Sequence, residues 1–101
     1  MDAVIAEADS HRHEKEHDVA VAVITPVGTY PDEEDFRRVH ESTVVETVLA
    51  EAARHLKITN TSDWVAHVDG RRVEIHRTFA ENRLCGVVEM EWHKHEGGGG
   101  A

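Results

Sequence analysis

Short β-branched runs alternate with one long helical stripe along this chain, and polar stretches lie at both ends. Residues 18–25, DVAVAVIT, are rich in valine and bounded by Asp18 and Pro26, which predicts a strand. Pro26-Val27-Gly28-Thr29 then offers a turn, Pro31-Asp32-Glu33-Glu34-Asp35 is an acidic loop with nothing to bury, and Phe36–Val39 returns as a short strand. The pattern is that of a hairpin with an extended connection. Thr43–Leu56 predicts a helix: Thr43 suits the N-cap, and Glu46 three residues on completes a capping box. Val44, Val48, Ala52 and Leu56 recur at spacing four beside Val45, Leu49 and Ala53, a broad apolar stripe suited to one face of a sheet. Arg54, His55 and Lys57 lie at the end where the helix dipole favours cations.

Asn60–Asp63 breaks the helical period. Trp64–Val68 reads as a strand, Asp69-Gly70 as a hairpin turn, and Arg71–His76 as the return strand, with Val73 and Ile75 alternating. Phe79–Leu84 reads as a connecting turn or a 3₁₀ piece. In the last strand, Val87–His93, Val88, Met90 and Trp92 point one way and Glu89, Glu91 and His93 the other. Trp64, Ala66 and Val68 are expected to face the helix, and Trp92, near the strand end, to be partly exposed. The outward positions of the third and last strands are then Val65, His67, Glu89, Glu91 and His93. Hairpin, helix, hairpin, connector and strand in this order predict an α+β fold, a mixed sheet of four to five strands with one helix packed across it.

Composition narrows the function classes. At 101 residues one domain is the natural count, with a polar, histidine-rich tail expected over 1–17, the folded domain over 18–93 and a polar, glycine-ended tail over 94–101. The net charge of −9, with Arg37-Arg38 and Arg71-Arg72 as isolated basic pairs, argues against nucleic-acid binding by counterion release. The start has no basic segment followed by an apolar one, and no apolar run approaches the ~20 residues that span a bilayer. A cytoplasmic protein without membrane contact is expected. The single cysteine, Cys85, excludes an internal disulfide, and no His-Asp or His-Asn set accompanies it as in a thiol enzyme; a buried, inert thiol is expected. His11, His13 and His17, and His93 with His95, form only pairs or alternations, short of the four ligands a structural zinc site uses. Asp32–Asp35 lacks a companion nucleophile and a calcium-loop glycine, so it reads as a solvated loop.

One feature remains: Gly97-Gly98-Gly99-Gly100, directly after the last strand and followed by Ala101. Glycine loses the most conformational entropy on ordering, so such a run adds nothing to a domain's stability. It suits a narrow channel that threads bare backbone, or an enzyme needing an unhindered carboxylate; a linker is the plain alternative.

The VAVAVIT…FRRV hairpin leading into TVVETVLAEAARHL, the DWVAHVDGRRVE hairpin, and VVEMEWHKHEGGGG together resemble the ubiquitin-like β-grasp proteins over about residues 18–100. Within that superfamily the chain looks most like short bacterial ubiquitin-like modifiers encoded beside E1-like, E2-like and JAB-type peptidase partners. The resemblance implies a carrier or modifier rather than an enzyme, and a monomer. It implies no cofactor on the chain itself, since the E1-like partner uses ATP to activate a C-terminal glycine carboxylate, which passes as a thioester to a protein target. Gly100 is then the conjugated residue once a peptidase removes Ala101, with Gly98 and Gly99 as alternatives; Gly97, Gly98 and Gly99 are threaded by the partner enzymes. Val65, His67, Glu89, Glu91 and His93 become the partner-facing surface, polar and acidic where ubiquitin presents an apolar patch. Of the three lysines, Lys15 in the N-terminal tail is the accessible acceptor should chains form, ahead of Lys57 and Lys94. Related systems suggest a setting in phage defence. A sulfur carrier ending in a thiocarboxylate, or a non-covalent interaction module, are the alternatives.

Overall fold

The computed structural model describes residues 17–95. The valine-rich run forms β1, Asp18–Thr25, whose alternate residues Val19, Val21 and Val23 are fully buried. Thr25 closes the turn that follows: its Oγ1 accepts from the Val27 and Gly28 N–H groups, both at 3.1 Å, and donates to Gly28 O at 2.7 Å. Gly28 stands at φ +151°, and a Cβ there would lie 3.2 Å from Leu56 Cδ2, so the close approach of turn and helix end requires glycine. The returning chain pairs with β1 twice, as β2, Gly28–Tyr30, and as β3, Arg37–His40. The acidic excursion between them folds on itself: the Glu34 N–H donates to Asp32 Oδ1 at 3.1 Å, an Asx turn of the kind that holds a solvated loop.

The helix α1, Val45–Leu56, is shorter than its apolar pattern. The expected capping box at Thr43 and Glu46 does not form. Val44 is the N-cap and no side chain caps the helix. Backbone carbonyls of a distant segment do so instead: Val45 N–H donates to Arg77 O at 2.9 Å and Glu46 N–H to Ile75 O at 2.8 Å. At the other end Lys57 is left-handed, at φ 59°, with Ile58 N–H bonded back to Ala53 O at 2.8 Å and Lys57 N–H to Arg54 O at 3.4 Å, a Schellman ending without its usual glycine. Val45, Val48, Leu49 and Ala52 are the buried stripe. Val44 is exposed, because it pairs with Thr78 in an isolated bridge outside the helix.

β4, Trp64–Val68, turns through Asp69 (φ 51°) and Gly70 (φ 80°) into β5, Arg71–Arg72. Two successive positive φ values are those of a type I′ turn, whose twist matches that of the strands. The predicted return strand to His76 stops at Arg72, with one further backbone bond from Val73 N–H to Ala66 O. Beyond it the Asn82 amide takes over: Glu74 N–H donates to Asn82 Oδ1 at 2.8 Å, and Asn82 Nδ2 donates to Glu74 O and Thr78 O, each at 2.9 Å. A reciprocal capping pair does exist, at Thr78 and Glu81, whose side chains accept from each other's backbone N–H at 3.0 and 2.9 Å. It orders the turns of the connector, which buries Phe79 completely.

β6, Gly86–Lys94, runs parallel to β1 and antiparallel to β4, giving the sheet order β2-β1-β6-β4-β5 with β3 also on β1. The fold is α+β, a six-stranded mixed sheet crossed on one face by a single helix, consistent with a ubiquitin-like β-grasp. The sixth strand arises because the acidic excursion splits the second strand of the first hairpin. Between helix and sheet, Phe79, Leu49, Met90 and the β1 valines form the core with Val88, Trp92 and Ala66. Trp92 is 4% exposed, so the expectation of partial exposure does not hold; Trp64 packs over it with ring centroids 5.0 Å apart, edge to face. No helix among the described residues is long and apolar enough to cross a membrane.

One polar cluster ties the first hairpin to α1. Glu51 Oε1 accepts from Tyr30 Oη and from Arg37 Nε, both at 2.9 Å. Hydrogen bonding from Arg37 holds the Glu51 carboxyl below its usual value against the opposing effect of burial, and Tyr30 adds to the lowering. A carboxyl with a lowered folded pKa contributes stability above its unfolded pKa and loses it as pH falls through the folded one. Glu51→Gln is therefore expected to cost about 0.5–1 kcal/mol at neutral pH, a figure discounted for the half-exposed arginine, and nothing once the Glu51 carboxyl is protonated in the folded and unfolded chain alike. Urea titrations of both proteins at neutral and acid pH measure this; an equal difference at both would contradict it.

Candidate partner face and glycine tail

β6 is hydrogen-bonded on both sides, to β1 over Val19–Ile24 and to β4 over Trp64–His67. The period of two that buries Val88, Met90 and Trp92 turns Val87, Glu89, Glu91 and His93 to the opposite, helix-free face. Register then assembles that face. Glu91 lies between Ile24 and His67, and His67 between Glu91 and Arg72; Glu89 is opposite Ala22, and Val87 opposite Ala20. The His67 and His93 rings stack at 5.8 Å with 18° between their planes, and His93 Nδ1 bonds to the Lys94 carbonyl at 2.9 Å.

Of the five residues predicted on this surface, Glu89 and Glu91 are exposed and His67 and His93 half-buried. Val65 is not displayed: it is 6% exposed, paired with His93 and walled by Arg72 and His95 at a shallow hollow. Long polar side chains on neighbouring strands cover a β-branched residue between them. The face is less polar than its five expected members suggest. Val87 is 66% exposed and Ile24 38%, and both belong to it. Strand alternation already placed Val87 beside Glu89, whereas Ile24 joins only through the parallel register, which no local pattern reveals.

Gly97, Gly98, Gly99, Gly100 and Ala101 lie outside the described residues, as do Lys15, His11 and His13. The chain leads towards the glycines from a fixed point: His95 N–H donates to Asp63 O at 2.9 Å, one step beyond the last β4–β6 pair. Cys85 is exposed, contrary to the buried thiol expected, because Leu84 before it takes the core position and Gly86 after it turns the chain at φ +69° into β6. Among the described residues no group of three or more His, Cys, Asp or Glu side chains is placed to hold a metal ion.

His17 bonds through Nδ1 to Glu41 Oε2 and stacks on His40 at 5.8 Å. These contacts join His17 to the end of β3.

A scan against protein-family models and a search of curated proteins each found no match to this chain.

Proposed function

We propose that the chain is a ubiquitin-like protein modifier, cut after Gly100 and activated there by an E1-like enzyme. The observation that supports this reading is the position of β6. The strand that precedes the glycine run is held between two neighbours, in parallel with β1 and antiparallel to β4. A segment gripped and threaded by an enzyme needs a firm attachment, and a strand paired on both edges provides one. Glycines beyond it admit close backbone approach along an extended grip and carry no side chain beside the tetrahedral centre formed at the carboxylate. In this reading the activating enzyme supplies ATP, an E2-like protein carries the thioester, a JAB-type peptidase makes the cut after Gly100, and the open face with Glu89, Glu91, His67, His93 and Val87 meets these partners.

The test is incubation of the chain ending at Gly100 with ATP and an E1-like enzyme of the kind that activates bacterial ubiquitin-like modifiers. A thioester that persists without reductant and collapses with it is expected. No adduct, or an adduct undiminished by deletion of Gly97–Ala101, overturns the proposal. Intact mass of the released product separates the sulfur carrier, in which one oxygen of the terminal carboxylate is exchanged for sulfur.

A further inference from the structure

Basic residues are unevenly spread over this acidic chain. Four of its 11 Lys and Arg residues, Arg71, Arg72, Arg77 and Arg83, fall between positions 71 and 83. Three of them, Arg71, Arg72 and Arg83, line one hollow of about 270 Å³ beside β5. β5 stands at the end of the sheet order, so the hollow reaches residues from both faces of that strand. Two local devices bring the arginines together. The type I′ turn at Asp69-Gly70 sets Arg71 opposite Val68 and Arg72 opposite His67. The Asn82 side chain then fastens Glu74 to the following turn, accepting from Glu74 N–H at 2.8 Å and donating to Glu74 O at 2.9 Å. Arg83 comes next, in left-handed backbone at φ 61°, a conformation that long side chains rarely adopt. Bonds from Arg83 N–H to Ala80 O and from Leu84 N–H to Phe79 O, both at 2.9 Å, hold it there.

We infer that this hollow is a binding site for a phosphate group, free or carried as a monoester. The charges around it are unevenly matched. Arg37, Arg77 and Lys94 each have a carboxylate partner, at 2.9, 3.4 and 3.9 Å, whereas Arg71, Arg72 and Arg83 have none among the described residues. The two carboxylates at the hollow are already engaged. Glu74 Oε1 meets Arg77 Nε at 3.4 Å, and Glu81 Oε1 accepts from Thr78 N–H at 2.9 Å, the contact that chiefly holds the Glu81 carboxyl below its usual value. Three guanidinium forks suit the three terminal oxygens of a phosphate monoester better than the two of a carboxylate. Size agrees: the hollow falls below the ~300–1,000 Å³ of drug-sized sites, which favours a compact anion over a nucleotide. The net charge of −9 repels anions at a distance, but salt screens that repulsion beyond about 10 Å, so the nearest arginines decide. The site lies at the sheet edge, beyond β4 from β6, and depends on nothing in the modifier reading.

A ¹⁵N–¹H titration of the full chain with sodium phosphate tests this at about pH 8, where phosphate is dianionic and histidine neutral. Sodium chloride at matched ionic strength is the control. Saturable shifts are expected at the amides of 71–74 and 81–84 with phosphate alone. Arg71→Gln and Arg83→Asn are each expected to weaken phosphate about three- to ten-fold, as for a charge-assisted bond at an exposed site. Asparagine tolerates the left-handed backbone at position 83. Glu81→Gln keeps the oxygen that accepts from Thr78 N–H but removes an opposing charge, and is expected to tighten phosphate about two-fold. Arg38→Gln, on β3 at the other side of the sheet, is expected to change nothing. A second titration, with a short peptide bearing one phosphoserine, identifies the source. Binding tighter than that of inorganic phosphate assigns the site to a phosphorylated partner, and otherwise the free ion is the ligand. Shifts that chloride reproduces, that spare 71–84, or that survive unchanged in both arginine variants overturn the inference. So does equal binding of the same peptide with aspartate in place of phosphoserine.

Discussion

Replacing Phe79 by alanine is expected to destabilise the fold by about 3–5 kcal/mol, the largest loss of any single core truncation here. Phe79 is the bulkiest of the fully buried side chains and belongs to a connector rather than to a strand or the helix. Its backbone is engaged on both sides: its N–H donates to Thr43 O at 3.1 Å and its carbonyl accepts from Leu84 N–H at 2.9 Å. The site therefore cannot collapse around a smaller side chain, and the cavity persists. A domain of this size holds only about 4–12 kcal/mol in total, so the variant sits near its threshold. Guanidinium titration measures the loss, with Val87→Ala as the control, since Val87 is 66% exposed and its truncation is expected to stay within about 0.5 kcal/mol. A loss for Phe79→Ala no greater than that of the control contradicts the packing described.

The second large effect is on activation. In a chain ending at residue 100, Gly100→Val is expected to lower the yield of E1 thioester by about two orders of magnitude, since small misplacement at a reacting centre costs that much. The β-branched side chain crowds the attacked carbonyl and restricts the backbone that the enzyme must extend. The unfolding midpoint of the variant is expected to match that of the parent, because the residue lies beyond the last strand. Full thioester yield from Gly100→Val removes the reason for a glycine at this position. A shifted midpoint instead shows that the tail contributes to the fold.

The two capping signatures show how far the sequence could be read. Thr43-Val44-Val45-Glu46 and Thr78-Phe79-Ala80-Glu81 carry the same pattern of threonine and glutamate three residues apart. Only the second closes its reciprocal bonds. The first loses because the chain at 75–77 delivers two carbonyls to the helix N-terminus and Val44 is drawn into a bridge with Thr78. Local pattern could not choose between them, since the competing acceptors are some 30 residues away in sequence. The short β5 has a similar cause. Val73 and Ile75 alternate as a strand should, but the Asn82 side chain claims the Glu74 backbone.

The candidate face divides in the same way. Glu89, Glu91 and His93 follow from a period of two, which steric alternation imposes on any strand. Cross-strand neighbours set the exposure of Val65 and Ile24. One is covered beside His93, and the other is brought next to Glu91 by a parallel pairing between residues far apart in the chain. Exposure of Cys85 is likewise a matter of which neighbour wins the core, and Leu84 does.

By itself, then, the sequence determined the order of strands and helix, the buried stripe of each and the glycine run after the last strand. These depend on periodicity and backbone preference, which act within a few residues. Tertiary structure alone decided the split of the second strand, the cap of the helix, the membership of the open face and the meeting of Arg83 with Arg71 and Arg72. Each of those turns on which distant backbone or side chain reaches a hydrogen-bonding group first, and only the folded chain brings the competitors together.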